Sequence, residues 1–183
     1  YLQQVFSIFE FSFNDFFNYW QNNYQTQFIL ALESGTEGAQ NRIYNQSITV
    51  LNLLLDYIRE PQDKFINNGT LPQQNQLIFW ASNSSKENLL SLIEGIELVY
   101  FNDDAPGFYD QLNFVNAQWE DGTFVSDGIA SEIDELKRSL VQIDNLENEI
   151  IANSDKISRL IERIKEVLIL YRSDMASWLS LLL

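Results

Sequence analysis

The sequence predicts an all-α protein, an elongated helical bundle with a long C-terminal coiled-coil-type helix. Three observations carry this. Apolar residues recur at gaps of three and four near both ends of the chain. An unbroken seven-residue repeat runs from Ile129 to Trp178. Hydrophobic residues make up 45% and aromatics 14% of 183 residues, enough to form a packed core without disulfides or metals. The whole chain, 1–183, is expected to be a single helical domain.

Residues 1–33 read as one aromatic helix, because Leu2, Phe6, Phe9, Phe13, Phe16, Trp20 and Tyr24 fall on one stripe. Phe11 and Phe17 widen the stripe, as in a helix buried on more than one side, in its own bundle or in an assembly. Glu33–Gly38 is a break with two glycines and no apolar residue. A second helix follows over 40–60, with Ile43, Val50, Leu51, Leu54 and Ile58 helically spaced and Pro61 marking its end.

Residues 61–128 read as a loop-rich acidic region with short helices. Leu77-Ile78-Phe79-Trp80 forms an apolar clip within its Asn-, Gln-, Gly- and Pro-rich opening. Ser84 and Glu87 have capping-box spacing and predict a helix through Leu90, Ile93 and Leu98. A short helix is expected from Phe108 to Gln118, ending near Gly122. Ser131 with Asp134 is a further N-cap pair, at the start of the last element.

Residues 129–183 read as one long heptad helix. Ile129, Leu136, Ile143, Ile150, Ile157, Ile164, Tyr171 and Trp178 lie seven apart, and Ile133, Leu140, Leu146, Leu160, Leu168 and Met175 fill the second apolar position of almost every heptad. The first eight are the predicted interface residues. A continuous helix of this length spans roughly 80 Å at about 1.5 Å per residue, more than a small domain can cover, so part of the seam is expected to pair with another chain. Ala152-Asn153-Ser154 is the one weak point, and the unslipped register argues for continuity across it. Asp134–Arg138 and Asp155–Arg159 are i,i+4 pairs of helix-stabilising orientation on the exposed face. The last residues, from Trp178 on, are apolar and uncharged and are expected to be covered by another helix or a subunit, or to continue in the natural chain.

Charge excludes several functions. Acidic residues outnumber basic ones 26 to 11, for a net charge of −15 and a pI near 4.1. Such a surface repels phosphate backbones and anionic lipid, so neither nucleic acid nor membrane is an expected partner. The chain holds no cysteine and no histidine, which removes thiolate and imidazole metal sites and every His-dependent triad. The densest apolar patch, Ile48–Ile58, is broken by Asn52 and Asp56, so no transmembrane helix is expected. The chain opens on Tyr1 instead of Met, which reads as a processed product or a trimmed chain. Sequons at Asn45, Asn68 and Asn83 are glycosylation candidates, of a kind that roughly two chance triplets would match in so Asn- and Ser-rich a chain.

Between Lys86 and Lys137 stand twelve acidic residues and no basic one. Carboxylates without cationic partners suit a hard, oxygen-loving cation, so Asp103, Asp104, Asp110, Glu120, Asp121 and Asp127 are weak Ca²⁺ candidates. No other cofactor is expected. An EF-hand does not fit: a loop begun at Asn102 places Gly107 correctly, but Pro106 replaces a ligand and Asn113 stands where the bidentate Glu belongs. With no phosphate loop, nucleotide motif or cleft signature, and with carboxylate pairs uninformative among 26 acids, the chain is expected not to be an enzyme.

The Asn/Gln/Ile/Phe-rich composition, the low pI, the non-Met start and the Ile129–Trp178 heptads together resemble the matrix, or lattice, proteins of ciliate dense-core secretory granules, those of trichocysts and mucocysts. The resemblance is one of layout and carries no site residue. It implies an acidic, helix-rich chain cut from a proprotein and packed into Ca²⁺-responsive arrays. The expected function is therefore structural: a protein secreted or held in the granule lumen, assembling with itself or related helical chains as cations or protons neutralise its surface. Two alternatives belong to other classes. One is a monomeric secreted invertebrate binding protein of saliva, haemolymph or venom, and the other a helical membrane-active toxin whose first helix meets lipid after a trigger. The absence of basic residues before Arg42 counts against the second.

Overall fold

The computed structural model describes residues 2–31, 38–68, 84–102, 104–152 and 154–181. The fold is all-helical, as the periodicity predicts; the described residues contain no strand beyond an isolated bridge between Gln118 and Phe124. The chain separates into two compact units, one within Tyr1–Tyr44 and the other across Asn45–Leu181.

The first unit holds α1 (Leu2–Tyr19), a π turn (Trp20–Tyr24), α2 (Gln25–Leu30) and the first turns of α3 (Ala39–Asn68). One helix over 1–33 was expected, and the difference is the π turn, which widens the i→i+4 ladder by a residue. At that widening the rings of Trp20, Tyr24 and Phe28 gather, with centroids 5.3 Å (Trp20–Tyr24), 5.5 Å (Trp20–Phe28) and 6.0 Å (Tyr24–Phe28) apart. Arg42 donates to the Tyr24 hydroxyl, and the Ala39 amide donates to the Ala31 carbonyl at 3.1 Å.

In the second unit α3 buries Ile48, Leu51, Leu54 and Ile58 along one stripe. The helix runs through Pro61 to Asn68, so the proline removes one backbone donor without ending it. The apolar clip Leu77–Trp80 falls outside the described residues. Then follow α4 (Ser85–Phe101), α5 (Phe108–Phe114), α6 (Val125–Val141), α7 (Leu146–Ile151), α8 (Asp155–Leu170), a second π turn (Tyr171–Met175) and α9 (Ala176–Leu179). Ser84 stands at the predicted N-cap of α4, but the cap is inverted: Asn88 Nδ2 donates to the Ser84 carbonyl at 2.6 Å and to its Oγ at 3.2 Å. At α5 the Asp110 carboxylate accepts from the Gly107 amide at 3.1 Å. Helix α6 starts at Val125, six residues before the expected Ser131 cap. Burial of Val125, Ser126 and Ile129 outweighs the capping preference there.

The single long helix over 129–183 does not form. Helices α6 and α8 pack side by side and run antiparallel: Glu132, near the start of α6, bridges Arg163 at 3.0 Å, while Gln142, past its end, lines the same groove as Lys156 at the start of α8. The helical run ends at Val141, with Gln142 as its C-cap, and Asn145, in extended conformation, starts the next helix: its side chain accepts from the Asn148 amide at 2.8 Å, capping α7. Ser154, likewise extended, stands at the N-cap of α8. The heptad phase survives because α6, α7 and α8 each turn their apolar stripe toward one shared core. Of the two predicted exposed pairs, Asp134–Arg138 forms, whereas among the described ion pairs Arg159 is not joined to Asp155.

Long-range polar contacts tie the helices together. The Lys86 ammonium donates to the carbonyls of Val141 (3.0 Å) and Ile143 (2.5 Å) at the C-terminal end of α6, where the helix dipole favours a cation. Lys137 bridges Glu97 at 2.5 Å, joining α6 to α4. The buried Tyr100 hydroxyl donates to the Ser126 carbonyl at 2.8 Å, and burial pushes the phenols of Tyr100 and Tyr171 far above their ordinary pKa. Between α5 and α6 a tight turn, with Gly122 at φ +83°, presents Trp119. Its Nε1 donates to Asp174 Oδ1 at 2.6 Å, and its ring lies across α6 at Gly128, where an added Cβ would sit 2.1 Å from Cη2.

In most helices Gly→Ala stabilises by about 0.5–1 kcal/mol. At position 128 the sign reverses: Gly128→Ala displaces the indole, so urea unfolding should show a loss of about 1–3 kcal/mol together with a shift in tryptophan emission.

Candidate functional site

The sequence placed its interface on the heptad seam, and the fold places that seam indoors. Ile129, Leu136, Ile143, Ile150, Ile157, Ile164 and Tyr171 are all buried by this chain's own helices. Only Trp178, on α9, remains 42% exposed. The seven are core residues of the second unit and present no face to another molecule in this fold.

The acidic candidates do not converge. Asp103 falls outside the described residues, and Asp104 and Glu120 are exposed in turns. Asp110 caps α5. Asp121 Oδ1 accepts from the Thr123 amide at 2.9 Å, a bond that holds its carboxyl below the ordinary range. Asp127 Oδ1 accepts from the Tyr109 hydroxyl at 2.8 Å and thereby raises that phenol's pKa. Among the described residues no three carboxylates come together as a metal-holding group. Of the sequons, Asn45 is half-buried within α3 next to the buried Ser47, Asn68 ends that helix, and Asn83 falls outside the described residues.

Sequence reasoning missed a groove of about 390 Å³ between α6 and α8. Arg138, Lys156, Arg159 and Arg163, four of the chain's eleven cations, line it together with Glu135 and Glu166. The 156, 159, 163 spacing on one helix face was the available signal. Three of these cations are engaged: Arg138 with Asp134 and Glu135, Lys156 with Glu149 at 2.9 Å, and Arg163 with Glu132 and Glu166. The groove is an electrostatic clasp between two helices of an acidic chain.

The remaining surface of note is α1. Val5, Phe6, Ile8, Phe9, Phe11, Phe13, Phe16, Phe17 and Tyr19 are each 46–68% exposed. Phe9, Phe13 and Phe17 stack in sequence, with centroids 6.4 and 6.5 Å apart. Such a ladder satisfies ring–ring geometry along the helix while leaving the outer faces in water. Glu10 and Asp15 are the only charged residues from 2 to 30. Among the described residues no helix is long and apolar enough to cross a membrane. The sequence had identified this stripe by its spacing and assigned it to burial in its own bundle or in an assembly; within the single chain it is exposed.

No family model, curated protein or solved structure matches this chain. The fold defines an all-helical bundle protein, and its surfaces alone carry the functional argument.

The hydrogen bond from Lys156 holds the Glu149 carboxyl below its ordinary value, with Ser154 assisting, and raises Lys156 in turn. A depressed carboxyl contributes stability above its unfolded pKa, about 4.3, and that contribution fades as pH falls through the lower folded value. Lys156→Gln should therefore flatten the acid limb: between pH 5 and pH 3 the variant's urea midpoint should fall less than the wild type's.

Proposed function

We propose that this chain is a structural, assembling protein, secreted or stored in granules, whose copies or related helical chains pack into higher-order arrays as cations or protons neutralise an acidic surface. The observation that carries this reading is the uncovered aromatic face of α1. Largest apolar patches on monomeric proteins are about 300–600 Å², and nine large apolar side chains half to two-thirds exposed on one helix exceed that range. A face of this kind has a partner in the working state.

The charge supports a controlled assembly. At a net charge of −15, mutual repulsion opposes packing into larger arrays until carboxylates are protonated or screened by divalent cations. The acidic residues of 87–135 are spread over turns and helix faces, an arrangement that suits diffuse neutralisation by millimolar Ca²⁺ more than capture of one ion. Layout akin to granule matrix proteins agrees with this role. A second reading, insertion of α1 into lipid, draws on the same face; the lack of any cation before Arg42 disfavours it on anionic membranes.

Light scattering coupled to size exclusion tests the proposal. Particle mass should grow reversibly with millimolar Ca²⁺ and as pH falls from 8 toward 5. A species of about 21.3 kDa under every condition would sink it.

A further inference from the structure

The α1 stripe has a sharper property than being apolar. Leu2, Phe6, Phe9, Phe13, Phe16 and Trp20 are separated by gaps of 4, 3, 4, 3 and 4, a mean period of 3.5–3.6 and the alternation of a two-position heptad seam. The heptads at the other end of the chain close inside its own core; this seam, from Phe6 to Phe16, is in solvent. The π turn at Trp20–Tyr24 ends the register by adding a residue to the ladder and turning Trp20 toward Tyr24 and Phe28. The seam is therefore bounded, about five turns long, and faces outward.

We propose that α1 pairs with α1 of a second copy of this chain, the phenylalanines interlocking as knobs into holes. This rests on the assembly reading above and names its first contact. Two arguments select a second copy. One is area: an aromatic side chain covers about 150–250 Å², so the five half- to two-thirds-exposed phenylalanines on the seam side, Phe6, Phe9, Phe13, Phe16 and Phe17, with Val5 offer roughly 600 Å² per copy, about 1,200 Å² for a pair, the lower end of specific stable interfaces. The other is charge. Pairing the stretch 2–30 with itself brings together only Glu10 and Asp15 of each copy, a small part of the repulsion between two chains of net −15. A basic partner helix would instead be drawn to the acidic second unit.

The absence of cysteine makes the test direct. The full chain carrying Asn14→Cys, a position off the seam, is labelled in separate batches with donor and acceptor dyes, mixed, and followed by energy transfer alongside sedimentation. Paired copies should give transfer and a dimer or a multiple of it in low-cation buffer. Phe9→Glu/Phe13→Glu should weaken association roughly a hundredfold or more, with the helical circular dichroism and the urea midpoint of the second unit unchanged. An oligomer indifferent to that double variant overturns the α1 pairing and leaves the assembly reading standing. A wild-type monomer up to 100 µM also overturns it, and growth with Ca²⁺ or acid then judges the assembly reading separately. Flotation of the monomer with phosphatidylcholine vesicles assigns the face to lipid and overturns the pairing.

Discussion

The antiparallel packing of α6 against α8 is the constraint on which the second unit depends. Ile129, Ile133, Leu136 and Leu140 from one helix and Ile157, Leu160, Ile164 and Val167 from the other are removed from water together, each worth about 1.5–3 kcal/mol on burial before chain entropy is counted. The remaining elements are placed by reference to this pair. Lys86 and Lys137 fasten α4 to it, the turn before α6 carries Trp119 across Gly128 to Asp174, and α5 abuts α6 through the bond between Ser126 Oγ and Asn113 Oδ1. The Arg138–Arg163 groove closes the outer edge with ion pairs that are individually weak at exposed positions but act as a network.

Electrostatics and hydrophobicity are segregated along the chain. Lys137, Lys156 and Arg163 lie within the second unit's helical pairings, where they offset local carboxylates. Asp110 in α5, Asp121 in the turn after it and Asp127 in α6 face solvent with backbone or hydroxyl donors as partners. The first unit, with four acidic residues and one basic over 1–44, presents aromatic surface. One molecule thus combines an acidic second unit with an exposed aromatic helix.

Much of the fold was legible in the sequence because local patterns record local physics. The start of α4 at Ser84–Ser85, the short α5 at Phe108 and the helical stripe of 2–20 followed from caps and spacing. The misses are also local in origin. Asn145 and Ser154 are N-cap residues inside the heptad run, and giving weight to the unbroken phase over those caps produced one helix where the chain folds back. Pro61 was read as a stop and is an interior residue of α3. The π turn at Trp20 has no cue in spacing, since a widened ladder depends on ring packing between residues eight apart. The candidate surface was half legible: the stripe was visible, its exposure was not.

By itself the sequence determined the helical class, the membership of both apolar seams, and the exclusion of thiolate and imidazole chemistry. Those follow from residue type and period alone. Only the tertiary structure decided which seam closes within the chain. A heptad states that a helix face leaves water; it does not state what covers that face, because a neighbouring helix of the same chain and one of another chain supply the same apolar atoms. A turn four residues long at Gln142–Asn145 turned the C-terminal seam inward, and the aromatic seam of α1 was left as the outward one.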